Sequence, residues 1–262
     1  MGGDKSIRVL VLGGTSEGRE IARRLSMAGL SVTYSMAGLV RQAKLGCEQL
    51  TGGFSRYGGV GSWLEAEDVD AVVDATHPYA QRMSEAAARE CLRLGIPCVR
   101  FDRPPWQPTD DDEWIGFNDY ADLQRKINHR FPEGDARLFF SVGQMQYPQL
   151  KTFDASFMLV RSAVPVQNLP PRCEYVLGVG PFDVGDEVFL LADYRINGLV
   201  CRNTGGRALE AKYLAARHLG VPVFMQNRPQ PDASDAVTQR FQQVDDLLLT
   251  VLQRFDQSGH HQ

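Results

Sequence analysis

Residues 9–19, VLVLGGTSEGR, constrain this chain more than any other stretch. An apolar, β-type run ends in a pair of glycines, and a helical pattern opens directly after it. A strand that exits through glycine into a helix is the opening unit of an α/β domain with a parallel sheet. Gly13 and Gly14 permit the tight turn and a close approach of backbone to ligand. Thr15, Ser16, Glu17, Gly18 and Arg19 then head a helix whose unpaired amides and dipole favour a phosphate. The dinucleotide fingerprint G-x-G-x-x-G, laid from Gly13, puts Thr15 at its second glycine and Gly18 at its third. From these residues alone the turn is either a dinucleotide cradle or an ordinary strand-to-helix connection.

The alternation continues along the chain. Strand patterns fall at 7–12, 30–35, 71–74 and 97–101, and helical patterns at 16–28, 62–67 and 78–94. Pro78 stands in the first turn of the last of these and Gly95 just past its end. Residues 103–112, rich in Pro and Asp, read as a loop, and a helix follows at 120–129. Pro132-Glu133-Gly134 reads as a domain junction, dividing the chain into 1–132 and 133–262. The pattern then restarts, with strands at 138–142, 157–160, 175–177, 199–202 and 221–226 and helices at 189–194, 208–219 and 241–255. Short strands separated by helices imply parallel sheets with right-handed crossovers.

A net charge of −4 gives no general attraction for nucleic acid, so an anionic ligand requires a local basic cluster. No apolar run is long enough to cross a bilayer, and no secretory h-region follows the first residues. Five cysteines without a C-x-x-C pair argue against a disulfide framework or a zinc site. The expectation is a cytoplasmic protein with reduced thiols and no metal site.

Asp74-Ala75-Thr76-His77-Pro78-Tyr79-Ala80 lies where a strand gives way to a helix, the edge at which open α/β sheets collect ligands. Thr76 reads as the helix N-cap, and His77 as either a titratable group of the site or an exposed passenger. Asn203-Thr204-Gly205-Gly206-Arg207 repeats the strand, glycine turn and helix arrangement before a helix carrying Glu210 and Lys212. With Arg202, it offers amides and cations to carboxylates or phosphates; the alternative is a helix cap with solvated charges. Gly178-Val179-Gly180-Pro181-Phe182 is a third glycine-rich strand exit. Tyr147 and Lys151 satisfy Y-x-x-x-K, but Glu20 stands where the companion T-G-x-x-x-G-x-G motif needs its last glycine, so a short-chain dehydrogenase relay is not expected.

Taken together, these pieces resemble the precorrin-6A reductase family of cobalamin biosynthesis. The matching segments are VLVLGGTSEGR, the S-x-A-G turn at 35–38, GGF at 52–54, DATHPYA at 74–80, RPPW at 103–106, LVR at 159–161, LGVGPF at 177–182, RNTGG…EAK at 202–212 and the closing GVPV. The resemblance implies two Rossmann-like domains with parallel sheets flanking a central cleft, the first for nucleotide and the second for substrate. It implies an NADPH-dependent reductase, with NADH possible, that delivers a hydride to C19 and a proton to C18 of precorrin-6A. The partner is then a tetrapyrrole, with no nucleic acid or membrane, and the enzyme a monomer or weak homo-oligomer. The cofactor contacts expected are residues 13–19 with Ser35, Arg41, Thr76 and His77. Relatives place an Arg after S-x-A-G, where this chain has Leu39, with Arg41 two residues on. Residues 32–38 carry no Asp or Glu to bind a ribose 2′-hydroxyl, so Ser35, Arg19 or Arg41 is left to meet a 2′-phosphate. Substrate donors are expected among Arg82, Arg161, Arg202, Asn203, Thr204, Gly205, Gly206, Arg207 and Lys212, with Tyr79, Phe182 and Trp106 against the ring. The proton donor is sought among His77, Lys212, Glu210, Tyr79 and water. Two alternatives stand beside this reading: a cobalt-precorrin-6A reductase of the anaerobic route using NADH, and a nucleotide-binding regulatory module without turnover. A regulatory module needs no second, basic glycine turn.

Overall fold

A computed structural model of the chain describes residues 6–36, 45–143, 145, 147–206, 210–230 and 239–256. The chain begins with β1 (Arg8–Leu12), α1 (Ser16–Met27), β2 (Ser31–Met36), β3 (Glu48–Thr51), α2 (Val60–Ala66), β4 (Ala71–Asp74), α3 (Gln81–Leu94) and β5 (Cys98–Phe101). It continues through β6 (Trp114–Phe117), α4 (Tyr120–Arg130), β7 (Arg137–Ser141), α5 (Tyr147–Leu150), β8 (Phe157–Ser162) and β9 (Cys173–Leu177). Then come α6 (Val184–Asp193), β10 (Gly198–Arg202), α7 (Ala211–Leu219), β11 (Val223–Gln226), β12 (Gln239–Phe241) and α8 (Val244–Asp256).

These elements form two six-stranded sheets, ordered β3-β2-β1-β4-β5-β12 and β9-β8-β7-β10-β11-β6. Every recorded strand pair is parallel. Each order is that of a doubly wound Rossmann-type sheet, which reverses direction between its first and fourth strands. In the first sheet the reversal lies between β1 and β4, and in the second between β7 and β10. The β1 strand is buried from Val9 to Leu12, because helices cover both faces of such a sheet. Val9 and Val11 pack toward α1 and α8 with Ile21, Leu25 and Leu247, while Leu10 and Leu12 pack on the other face with Trp63, Leu64 and Ala87. Among the described residues no helix is long and apolar enough to cross a membrane.

The chain divides into two compact units, Met1–Arg103 with Pro229–Gln262, and Pro104–Arg228. The boundary expected at 132/133 therefore falls inside the second unit. β6 precedes that boundary in the chain but pairs with β11 along Trp114–Phe117, and α4 buries Leu123 and Ile127 in the same core. Conversely, β12 and α8 lie at the end of the chain but complete the first unit: Gln239–Phe241 pairs with β5, and Leu247, Leu248 and Val251 enter the core around β1. A local pattern announces a strand but not the sheet it joins.

Three strands lie outside the set expected from the sequence. β3 reads Glu-Gln-Leu-Thr with only Leu50 buried, β6 follows a Pro/Asp-rich loop, and β12 is a three-residue edge strand. Two helix starts also differ from the expectation. α3 begins at Gln81, and Ala80 is its N-cap; Pro78 lies in the preceding turn. α6 begins five residues early because the Asp183 carboxylate accepts the amides of Gly185 at 2.7 Å and Asp186 at 3.4 Å.

The burial of α8 gives a direct check. Leu247→Ala should cost about 2–5 kcal/mol in urea unfolding, the range for emptying a packed leucine site. A loss under about 1 kcal/mol would remove α8 from that core.

Candidate active site

In the first unit the switch point is built on the turn after β1. Gly13 N–H donates to the Ser35 carbonyl at 2.7 Å, and Gly14 N–H to the Tyr34 hydroxyl at 3.0 Å. The buried Thr15 hydroxyl donates to the Ala75 carbonyl at 2.9 Å and accepts the Gly18 amide at 3.0 Å. Thr15 is thus the N-cap of α1 and a strut to the exit of β4. A Cβ on Gly18 would stand 3.1 Å from that hydroxyl and 3.3 Å from Ala75, which explains the glycine. The amides of Thr15 and Ser16 have no hydrogen-bond partner among the described residues. They, rather than the amide of Gly14, remain to meet an anion at the positive end of α1.

Glu17 complicates that picture. Its carboxylate accepts the Ser16 hydroxyl at 2.8 Å and is ion-paired with Arg103. Burial pushes the Glu17 carboxyl up, but Ser16, Arg103 and its own backbone amide together hold it below the usual value. Arg103 neutralises this acidic side chain at the head of α1. Arg19, in the first turn of α1, is half-buried, and its guanidinium has no partner among the described residues.

At the exit of β4, Asp74 is buried and lies 3.4 Å from Arg100 on β5. Its other oxygen accepts the Thr76 amide at 3.0 Å and hydroxyl at 2.7 Å. Thr76 therefore closes a turn on Asp74 and is not the cap of α3. His77 is half-buried in this turn; its Nδ1 accepts the Tyr79 amide at 3.3 Å, so the neutral ring carries its proton on Nε2. Tyr79 is half-buried beside it, with ring centroids 5.6 Å apart, and Arg82 is exposed on the first turn of α3. Ser35 is buried, and its carbonyl holds the glycine turn. Arg41 lies outside the described residues.

In the second unit the switch point joins the ends of β7 and β10. Lys212, in the first turn of α7, is only 3% exposed. Its Nζ donates to the carbonyl and hydroxyl of Ser141, both at 3.2 Å, and no carboxylate pairs with it among the described residues. Burial lowers its pKa below the ordinary lysine value; Arg161 and Arg202 add to the shift, and Cys201 and Glu187 oppose it. Burial also pushes the neighbouring Cys201 thiol up to about 11. Lys212 is thus a buried amine bonded to Ser141 and not available as the substrate donor expected from the sequence.

Arg161 departs from expectation in the same way. Its fork closes on Glu187 at 2.7 and 3.0 Å, and its plane lies between Phe182 at 3.9 Å and Phe139 at 4.9 Å. A guanidinium so committed is framework. The Asn203 side chain is likewise spent on Trp106, accepting its amide at 2.8 Å and donating to its carbonyl at 3.0 Å. Trp106 Nε1 donates in turn to the Gly206 carbonyl at 2.9 Å, so this indole is a strut packed on Tyr213. Thr204 is buried, and Gly205 and Gly206 both take left-handed φ, +66° and +75°, which turns the backbone sharply after β10. Arg202 Nε donates to Gln226 at 3.1 Å. Glu210 is the half-buried N-cap of α7 and makes no side-chain cap bond. Arg207 lies outside the described residues. Tyr147 opens the one-turn α5 and is 42% exposed, with Lys151 Nζ 5.9 Å from its ring centroid. Sequence reasoning missed Tyr34 and Ser141, which read as core, and gave no individual role to Asp74 and Arg103 within their motifs; all four acquire one only through their partners.

Two Rossmann-ordered parallel sheets, each with polar groups gathered at its reversal, define a double Rossmann-like α/β protein. Residues 8–251 match the protein family described as precorrin-6x reductase CbiJ/CobK, and the chain belongs to that family. It is 38% identical over 234 residues to the precorrin-6A reductase of Rhodococcus erythropolis, covering 88% of this chain and 93% of that protein. It is 34% identical over 233 residues to the precorrin-6A reductase of Rhodobacter capsulatus, covering 87% and 90%. It is 25% identical over 238 residues to the cobalt-precorrin-6A reductase of Salmonella typhimurium, covering 85% and 88%. The solved structure of a CobK precorrin-6A reductase superposes with a TM-score of 0.81 at 31% identity, covering 94% of this chain and 96% of that one. The chain is an oxidoreductase of that family.

The buried lysine predicts a pH dependence. A folded pKa below the unfolded value of about 10.4 means that the unfolded chain binds the extra proton between the two, so stability rises with pH across that window. Urea unfolding from pH 7 to 10 should show this rise in the parent protein and a flatter curve in Lys212→Met. Parallel curves would show that the Lys212 proton is no more costly folded than unfolded.

Proposed function

We propose that this chain reduces precorrin-6A to precorrin-6B with NADPH, hydride going to C19 and a proton to C18 of the macrocycle. Family membership supports the reductase chemistry and a nicotinamide cofactor. The observation that carries the choice of NADPH is the end of β2, where Tyr34, Ser35 and Met36 include no carboxylate, together with the guanidinium of Arg19, which has no partner among the described residues. A ribose 2′-hydroxyl has no acid to bind there, and a 2′-phosphate meets no repulsion. Identities of 33–38% to precorrin-6A reductases, against 24–26% to cobalt-precorrin-6A reductases, favour a metal-free substrate.

The turn residues fit a nucleotide. The Thr15 and Ser16 amides face the phosphates, with Gly14 leaving the approach open; Arg19 and Arg41 answer the 2′-phosphate. NADPH supplies the hydride. In the second unit, Arg202, the Thr204–Gly206 backbone and Arg207 hold substrate carboxylates, on scaffolding made by Lys212, Arg161 and Asn203. Tyr79 and Arg82 add contacts from the turn at the end of β4. His77, whose neutral ring carries its proton on Nε2, supplies the proton.

Anaerobic NADPH oxidation with metal-free precorrin-6A, followed by a product two mass units heavier, tests the reaction. Turnover of the cobalt-loaded ring alone would replace this reading with the anaerobic one. Arg19→Ala and Arg41→Ala test the cofactor choice: loss of the 2′-phosphate contact should weaken NADPH about tenfold or more and leave NADH unchanged. Equal effects on both cofactors would remove these arginines from the 2′-phosphate. His77→Asn should lower kcat more than it raises KM for the macrocycle; an effect confined to KM would make His77 a positioning group.

A further inference from the structure

The glycine turn of the first unit is held by a side chain to which the function above gives no task. Tyr34, on β2, is 1% exposed and belongs to the core with Val9, Val11, Ile21 and Leu25. Its ring occupies the space that a Cβ on Gly13 would need, 2.1 Å from Cε2 and Cζ. Its hydroxyl accepts the Gly14 amide at 3.0 Å. Gly14 has φ +116°, and a Cβ there would meet nothing within 4 Å, so glycine is required for its conformation and not for space. With Gly13 N–H on the Ser35 carbonyl, both glycine amides are spent on β2. The next two amides, of Thr15 and Ser16, are the ones left without a partner among the described residues at the head of α1.

We propose that the Tyr34 hydroxyl is a positioning residue for the nucleotide turn. By holding the Gly14 amide it fixes the peptide that aims the Thr15 and Ser16 amides, so that the phosphate site is formed before the ligand arrives. It does from beneath what the fingerprint glycine, replaced here by Thr15, leaves undone at the turn. The inference rests on the reading that this turn binds the nucleotide phosphates.

Tyr34→Phe keeps the ring and removes only the hydroxyl. In NADPH titrations of the full chain, Kd should rise about three- to tenfold, the loss of one hydrogen bond. The change should fall on KM for NADPH and not on kcat. An unchanged Kd in folded Tyr34→Phe, whatever its Tm, is what a purely packing role gives and overturns the proposal. Amide hydrogen exchange on the parent protein is independent of how the variant folds. The Gly14 amide should be protected in the absence of nucleotide, and exchange at the rate of an unstructured peptide would overturn the proposal as well. Gly14→Val separates the two readings. If it leaves NADPH affinity intact, the turn is not the nucleotide site and both readings fall. If it abolishes binding while Tyr34→Phe binds normally, only the role of Tyr34 falls.

Discussion

The first unit depends on one buried hydroxyl. Thr15 caps α1 through the Gly18 amide and, in the same rotamer, reaches the Ala75 carbonyl at the end of β4. It therefore ties the first helix to the strand across the sheet reversal, where doubly wound folds open a crevice. In the usual fingerprint the second glycine lets backbone and pyrophosphate approach closely. Here a side chain fills that position and turns inward, while the space about Gly14 is open, with nothing within 4 Å of where a Cβ would stand. Gly18 keeps its usual place because the strut and Ala75 leave no room for a Cβ.

The reversal of the second unit is built from buried charge. Arg161 and Glu187 are a bidentate pair with side chains 10% and 2% exposed, flanked by aromatic rings. Desolvation of such a pair is offset only when its geometry is good and its hydrogen bonds are made, and removing one partner strands the other. Lys212 has no such partner among the described residues and rests on two oxygens of Ser141. Groups of this kind fix the ends of β7, β8 and β10 relative to α6 and α7.

The sixth strand of each sheet is supplied from outside the run of its five companions. β6 enters the second sheet ahead of β7, and β12 reaches the first only after all of the second unit has been passed. The chain crosses between the units at 103/104 and again at 228/229. Completing the first sheet thus requires a contact between residues about 140 apart, Val99 with Gln239, a high-separation pairing that costs loop entropy before packing rewards it.

The sequence alone determined the class of most elements and the location of the exits. Apolar runs such as 9–12 and 71–73 have no other stable use than a doubly covered parallel strand. Glycines at 13, 14, 205 and 206 mark turns that other residues resist, because these preferences are local. It also determined the family, whose motifs run through most of the chain in order. Tertiary structure decided the rest. Neighbours distant in the chain set which sheet β6 and β12 join. They also set the fate of each charge: Lys212 and Arg161 look like solvent-facing donors in a linear reading, and only packing shows one sealed against Ser141 and the other closed on Glu187. Tyr34 carries no sign in its own strand of the amide it holds, since hydrogen-bond partners 20 residues apart are chosen by the fold and not by the pattern.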